Sequence, residues 1–128
     1  MSKYLNKPIA YLQDSDIDSV GNLINPKIQK NKPVILLIQA NYCGYCTQAK
    51  PDFQKFANEN TDKVFCVTIQ GDPDDTSMEG EKQLVSRLKN IKPNFKGYPD
   101  YVLYINGKKV NKEITGRDIK SLEQFAGI

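Results

Sequence analysis

The residues best suited to chemistry in this chain of 128 lie in one hexapeptide, Asn41-Tyr42-Cys43-Gly44-Tyr45-Cys46. On a helical turn, two intervening residues bring cysteine Cα atoms within the roughly 5–6 Å that a disulfide accepts. An apolar run precedes the pair and a helical pattern follows it, so Cys43 falls at a helix N-terminus. Orphan amides and the positive end of the helix dipole stabilise a thiolate at that position. Cys43 therefore reads as the exposed nucleophile. Cys46, one turn further in, reads as the resolving thiol that releases a mixed disulfide. Exchange of this kind needs no metal and no cofactor, and none is expected.

The composition closes off most other chemistry. Histidine is absent, which excludes Ser-His-Asp and Cys-His machinery and imidazole metal ligands. Zinc needs four ligands, and beyond the pair only Cys66 remains, so a complete site in one chain would require carboxylates. An iron–sulfur cluster bridging two chains and an inert structural Cys-x-x-Cys are the competing readings of the motif. Asp72, Asp74 and Asp75 lie close together but lack the loop glycine and distal glutamate of a calcium-binding EF-hand, and they read as a solvated turn. Sixteen of the eighteen basic residues are lysines scattered along the chain, and the net charge is +3. Nucleic-acid binders concentrate charge and favour arginine, so no nucleic-acid partner is expected. No apolar run reaches the roughly 18 residues of a membrane span, and no membrane partner is expected either. The opening segment, Met1 to Pro8, has no apolar signal core. It reads as flexible, and the chain as a cytoplasmic monomer. Frequent lysine, asparagine, isoleucine and tyrosine with scarce alanine match an AT-rich genome such as that of a large DNA virus.

Length and composition (39% hydrophobic, 26% charged) fit one domain over 1–128, with roughly two-thirds of the unfolded surface buried on folding. Ile9 to Leu12 forms a first apolar stretch. Ile17, Val20, Leu23 and Ile24 then recur at helical spacing up to Pro26. Val34 to Ile38 is a continuous apolar run, the pattern of a strand covered on both faces. A helix carrying Phe53, Phe56 and Ala57 on one face follows the cysteine pair, with Pro51 inside it predicting a kink. Val64 to Ile69 is a second buried strand. Thr76 and Glu79 form a capping-box pair that opens a helix with Leu84, Val85, Leu88 and Ile91 inward. Tyr101 to Ile105, the turn Asn106-Gly107 and Lys109 to Thr115 read as a hairpin. Asp118 to Ala126 closes the chain as a helix with Ile119, Leu122, Phe125 and Ala126 inward. The order is β-α-β-α-β-α-β-β-α: an α/β fold with a parallel section, a hairpin edge and helices on both faces.

These residues resemble the thioredoxin superfamily from about Ile9 onward. The Cys-Gly-x-Cys pair is followed by Pro51, like the proline in the family's active-site helix. Phe95-Lys96-Gly97-Tyr98-Pro99 looks like the segment ending in the family's cis-proline, opposite the cysteines. Asn106-Gly107 matches the hairpin turn, and Gly116 the glycine before the last helix. The resemblance implies a mixed five-stranded sheet whose last two strands form an antiparallel edge, and thiol–disulfide oxidoreductase activity on protein disulfides or dithiols, recharged by a thiol reductant or reductase system. It implies a substrate groove shaped by Pro99 and the Tyr98 backbone beside Gly44, which pairs with an extended segment by strand addition. Tyr42, Tyr45 and Tyr98 would form an aromatic rim for apolar substrate segments.

The departures from the family are informative. Its buried acid aligns with Leu37 and the lysine partner of that acid with Cys66, which reads as an inert core thiol. Its tryptophan before the pair becomes Tyr42, and its second dipeptide residue is Tyr45 in place of proline. Cys-Gly-Tyr-Cys is closer to the dipeptides of glutaredoxins and bacterial disulfide isomerases. A potential of roughly −250 to −180 mV is expected, on the scale that places thioredoxin near −270. Mixed disulfides should resolve slowly at neutral pH. Asp100 either substitutes for the missing acid or is a surface residue starting a strand, and the second reading is preferred. The 71–94 stretch is longer than its counterpart in the family, an insertion with an extra or longer helix. Reduction in a reducing cytosol is the first functional reading. Isomerase or oxidase activity in a folding compartment is the second, and a redox-inactive binding or virion module with a vestigial pair is the third.

Overall fold

The structure is a computed structural model that describes residues 5–28, 31–75 and 77–128. Its frame is a five-stranded sheet in the order β1-β3-β2-β4-β5, with β1 at Ala10–Tyr11, β2 at Val34–Gln39, β3 at Phe65–Gln70, β4 at Asp100–Ile105 and β5 at Lys108–Val110. β3 pairs parallel with both β1 and β2, whereas β4 runs antiparallel to β2 and to β5. All six residues of β2 are buried, the outcome expected of an unbroken apolar run at the centre of a sheet. Asn106 (φ 52°) and Gly107 (φ 80°) both take positive φ between β4 and β5, the backbone that Asn-Gly supplies at low cost in a tight hairpin.

Among the described residues four helices cover this sheet: α1 at Gly44–Glu59, α2 at Glu79–Val85, α3 at Leu88–Ile91 and α4 at Ile119–Ala126. On one face Phe53, Phe56 and Ala57 of α1 and Leu122 and Phe125 of α4 pack against Ile35, Leu37, Cys66, Tyr101 and Leu103. On the other, Leu84, Leu88 and Ile91 meet Leu36, Ile38, Val67, Ile69, Val102 and Tyr104. Alternating strand residues thus feed two cores, one on each side of the sheet. α1 runs through Pro51 without ending. Asp118 caps α4 by accepting a hydrogen bond from the Ser121 amide at 3.0 Å.

The helix predicted around Ile17 to Ile24 does not form. That segment holds a short 3-10 turn at Asp14–Asp16 and an isolated bridge between Ile17 and Leu23. Val20 and Ile24 are exposed. Local side-chain bonds compete with a helix here. The Asp16 carboxylate accepts from the Gln13 amide and the Asn25 side chain, while that of Asp18 accepts from the Val20 and Asn22 amides. Gly21 takes φ 88°, outside the right-handed helical region.

Arg87, in the turn between α2 and α3, completes this non-helical arrangement. Its guanidinium donates to the Asp14 carboxylate at 2.7 Å, to the Asp14 and Ile17 carbonyls at 3.0 Å each, and to the Asp18 carbonyl. Replacement by methionine removes these four hydrogen bonds. The Asp14 and Asp18 carbonyls still accept from the Ile17 and Gly21 amides, so the Ile17 carbonyl loses most. Asp14 is partly exposed, so the ion pair itself contributes little and the expected loss is about 1–3 kcal/mol, mostly from the Ile17 carbonyl deprived of its donor. Urea unfolding would show it as a lower midpoint at unchanged slope. A midpoint equal to that of the wild type would refute the assignment.

Other sequence expectations also change. The single helix expected between Thr76 and Ile91 is two helices broken at Ser86 and Arg87. The capping box with Thr76 lies outside the described residues. β5 stops at Val110 because the chain turns there, the Lys112 amide donating to the Val110 carbonyl at 2.9 Å. Of the opening segment read as flexible, residues 1–4 lie outside the described residues, but residues 5–8 are tied down. Leu5 is 3% exposed in the core beside α1, and Asn6 exchanges hydrogen bonds with the Gln54 side chain.

Candidate active site at the tip of the first helix

β2 ends at Gln39, and the four residues that follow deliver the chain to the start of α1. Cys43 is the N-cap of that helix. The Cys43 sulfur accepts from the Cys46 amide at 3.2 Å, and its thiol donates to the Tyr98 carbonyl at 3.5 Å. That amide is one of the first-turn donors that a helix cannot pair internally. Cys46 is fully buried, and its sulfur accepts from the Ala40 amide at 3.4 Å. Burial pushes the Cys46 thiol up to about 12, with the hydrogen bond to Cys43 adding to it. The Ala40 amide and the positive charge of Lys50 pull the other way. No disulfide joins the two cysteines in this structure. Their sulfurs differ sharply in access: one is half-exposed at a helix tip, the other sealed beneath it.

The surroundings sort the remaining expected site residues. Tyr42 (77% exposed) and Tyr45 (61%) flank Cys43 in solvent. The Tyr45 ring lies under the Arg117 guanidinium, 4.9 Å from its centroid, a cation–π contact between α1 and the segment before α4. Tyr98 is placed differently. Its backbone carbonyl faces Cys43, but its ring packs edge-on against Phe95 at 5.2 Å and covers Gly71. A Cβ at Gly71 would stand 2.0 Å from the Tyr98 hydroxyl, so that glycine is required by close approach. One of the three expected rim tyrosines is therefore a core edge. The Tyr98–Pro99 peptide bond is cis. A Cβ on Gly44 would meet nothing within 4 Å, so the space above the pair is open to an incoming chain.

Three polar residues around the pair escaped the sequence reading. Asp72, read as part of a solvated turn, reaches back from the loop after β3. Its carboxylate accepts from the Asn41 amide at 2.9 and 3.0 Å and from the Tyr42 amide at 3.3 Å. It thereby fixes the turn that carries Cys43. Lys50 is only 3% exposed and donates to the Asn41 side-chain oxygen at 2.9 Å and the Ala40 carbonyl at 3.4 Å. Lys92 is likewise buried and holds Asp100 at 2.5 Å and Glu113 at 2.8 Å. Asp100 thus starts β4, as the preferred reading has it, but it is a partly buried ion-pair partner of Lys92 and not a free surface residue. The signal for Asp72 lay in its position directly after a buried strand that neighbours β2. Cys66 is buried in β3, and burial alone pushes its thiol up to about 12. No cluster of three or more potential metal ligands occurs among the described residues.

The thioredoxin family model matches residues 21–127. The chain belongs to the thioredoxin family. Two relatives and a solved structure place it further. It is 50% identical to a protein described as thioredoxin-like, 453L of Invertebrate iridescent virus 6, covering 96% of this chain and 95% of that one. It is 32% identical to the thioredoxin of Gallus gallus, over 84% of this chain and 93% of that protein. Spinach chloroplast thioredoxin f superposes with a TM-score of 0.60 at 20% identity, over 97% of this chain and 94% of that one, which is a likeness of fold. This thioredoxin-family chain combines the fold with a Cys43/Cys46 pair, the equipment of a thiol–disulfide oxidoreductase at the level of the family.

Proposed function

We propose that the chain reduces disulfides in protein substrates, with Cys43 as nucleophile and Cys46 as resolving thiol. The observation that carries this reading is the asymmetry of the pair: a half-exposed Cys43 sulfur facing a helix amide, above a Cys46 that no substrate can reach. In the first step the Cys43 thiolate attacks one substrate sulfur. A Cys43–substrate disulfide forms, the substrate's own S–S bond breaks, and the departing sulfur takes up a proton. In the second, Cys46 gives up its proton and attacks Cys43. The internal disulfide forms, and the second substrate sulfur leaves and is protonated. Two thiols have become a disulfide in the enzyme and the reverse in the substrate. A small thiol or a reductase then restores the pair. An extended substrate segment runs past Pro99, where the Tyr98 carbonyl accepts a backbone N–H as in strand addition, with Tyr42 and Tyr45 against its side chains.

Turnover is tested with insulin and dithiothreitol. Catalysed precipitation of the insulin B chain, above the uncatalysed rate, is the expected result. A rate equal to that of the reductant alone overturns the reading and leaves a binding module with a vestigial pair. The alternative direction, isomerisation or oxidation in a folding compartment, draws support from Leu37 standing where the family has an acid and from Tyr45 between the cysteines. Equilibration with glutathione decides it. A potential in the lower part of the roughly −250 to −180 mV range supports reduction in a reducing cytoplasm, and one near −180 mV or above supports the alternative.

A further inference from the structure

Cys46 must ionise to complete the exchange, yet it is sealed from water and burial opposes its charge. The sheet beneath offers it no carboxylate. Leu37 and Cys66 are buried in the core against which α1 packs, and Asp100 is occupied by Lys92. The charged group that is present is Lys50, one helical turn beyond Cys46 on the same face of α1, since positions i and i+4 are neighbours. A lysine with 3% exposure is unusual and needs a reason. Its ammonium lies against the Ala40 carbonyl and the Asn41 amide oxygen, while the amide of the same Ala40 donates to the Cys46 sulfur. One short stretch after β2 therefore holds both the lysine and the thiol it would serve.

We propose that Lys50 is the positioning residue that readies Cys46 for the second step, its buried ammonium offsetting the negative charge that Cys46 takes on as it attacks the Cys43 mixed disulfide. This rests on the exchange reading above and assigns it a further participant. The proton leaving Cys46 passes to the departing substrate sulfur, so Lys50 ends the cycle as it began, as an ammonium. The groups that face this pair are Cys43 across the turn, Asp72 behind Asn41, and Tyr98 and Tyr101 from the sheet side. Burial lowers the proton affinity of Lys50, and the nearby Cys46, Asp72 and Cys43 push it back up. Asp72 therefore serves two ends. It fixes the Cys43 turn through the Asn41 and Tyr42 amides, and its charge helps keep Lys50 protonated. Burial raises both tyrosines, so they face the pair as neutral phenols in the physiological range.

The test separates the two chemical steps. Reduced protein mixed with 5,5′-dithiobis(2-nitrobenzoate) releases one equivalent of chromophore when Cys43 attacks and a second when Cys46 resolves. Lys50→Gln keeps an amide donor for Ala40 and Asn41 but removes the charge. Its first equivalent should slow much less than its second, since Cys43 is the weakest of the charges acting on Lys50, and its release also reports an intact site. Its second should be about tenfold slower at neutral pH, with the midpoint of the pH profile moved upward, since a lost positive neighbour raises a thiol's proton affinity. Lys50→Arg should restore the second rate. Lys50→Met repeats the charge deletion if the glutamine variant fails to fold. A second equivalent as fast as in the wild type, or an arginine variant as slow as the glutamine one, overturns the proposal. Loss of the first equivalent in the wild type itself would instead refute the exchange reading on which it rests.

Discussion

Cys43→Ser should abolish insulin reduction, lowering turnover by at least about a thousandfold, the scale seen when an essential nucleophile is removed. A serine hydroxyl cannot form a disulfide, and it is a far weaker nucleophile than a thiol. Cys46→Ser has a different expected outcome. The first step remains, the resolving sulfur is gone, and substrate accumulates on Cys43 as a mixed disulfide that mass spectrometry of non-reduced samples detects. The structure makes this asymmetry a consequence of access, because Cys43 is half-exposed at the N-cap while Cys46 is fully buried. If Cys43→Ser captured substrate through Cys46 instead, the assigned roles would be reversed and the account of the site would fail.

Phe53→Ala should be the most damaging substitution outside the pair. Phe53 is fully buried where α1 crosses the sheet, its ring 6.3 Å from that of Tyr101 in an edge-on arrangement. Removing it costs transfer energy, an aromatic contact and a cavity, about 3–5 kcal/mol in total. Against a usual total of about 5–15 kcal/mol, that is a large fraction. A fall in Tm of roughly 10–20 °C should accompany it, and activity should decline at temperatures where the wild type is stable. The site suffers with the core because Phe53, together with Phe56, holds the helix carrying Cys43 and Cys46 against the sheet. A loss below about 1 kcal/mol would mean that the core collapses to fill the gap and that α1 is held by other contacts.

The positions at which the sequence misled share a cause. The spacing of Ile17, Val20, Leu23 and Ile24 satisfies a helical period, but Arg87 and the Asp16 and Asp18 carboxylates give the backbone other partners. Arg87 lies about seventy positions away along the chain, and periodicity carries no information about such a partner. Lys50 presents the same difficulty in reverse. By pattern it is one more lysine among sixteen, and only the Ala40–Asn41 turn folded over it makes it a buried cation beside a thiol. Tyr98 looked like a rim residue because its neighbours in sequence face the pair. Gly71, on a different element, opened a place for its ring in the other direction.

By itself the sequence determined the features that depend on neighbours along the chain. β2 follows from an unbroken apolar run, the β4–β5 turn from Asn106-Gly107, and the placement of two thiols on one helical turn from their spacing and the pattern on either side. These are local because strand and helix periods and turn backbones are set over a few residues. Tertiary structure alone decided what surrounds the thiols: the sealing of Cys46, the burial of Lys50, the reach of Asp72 across to the Cys43 turn, and the Lys92 anchor on Asp100. Each depends on desolvation and on hydrogen bonds between segments distant in sequence, and those come into being only when the two faces of the sheet are packed.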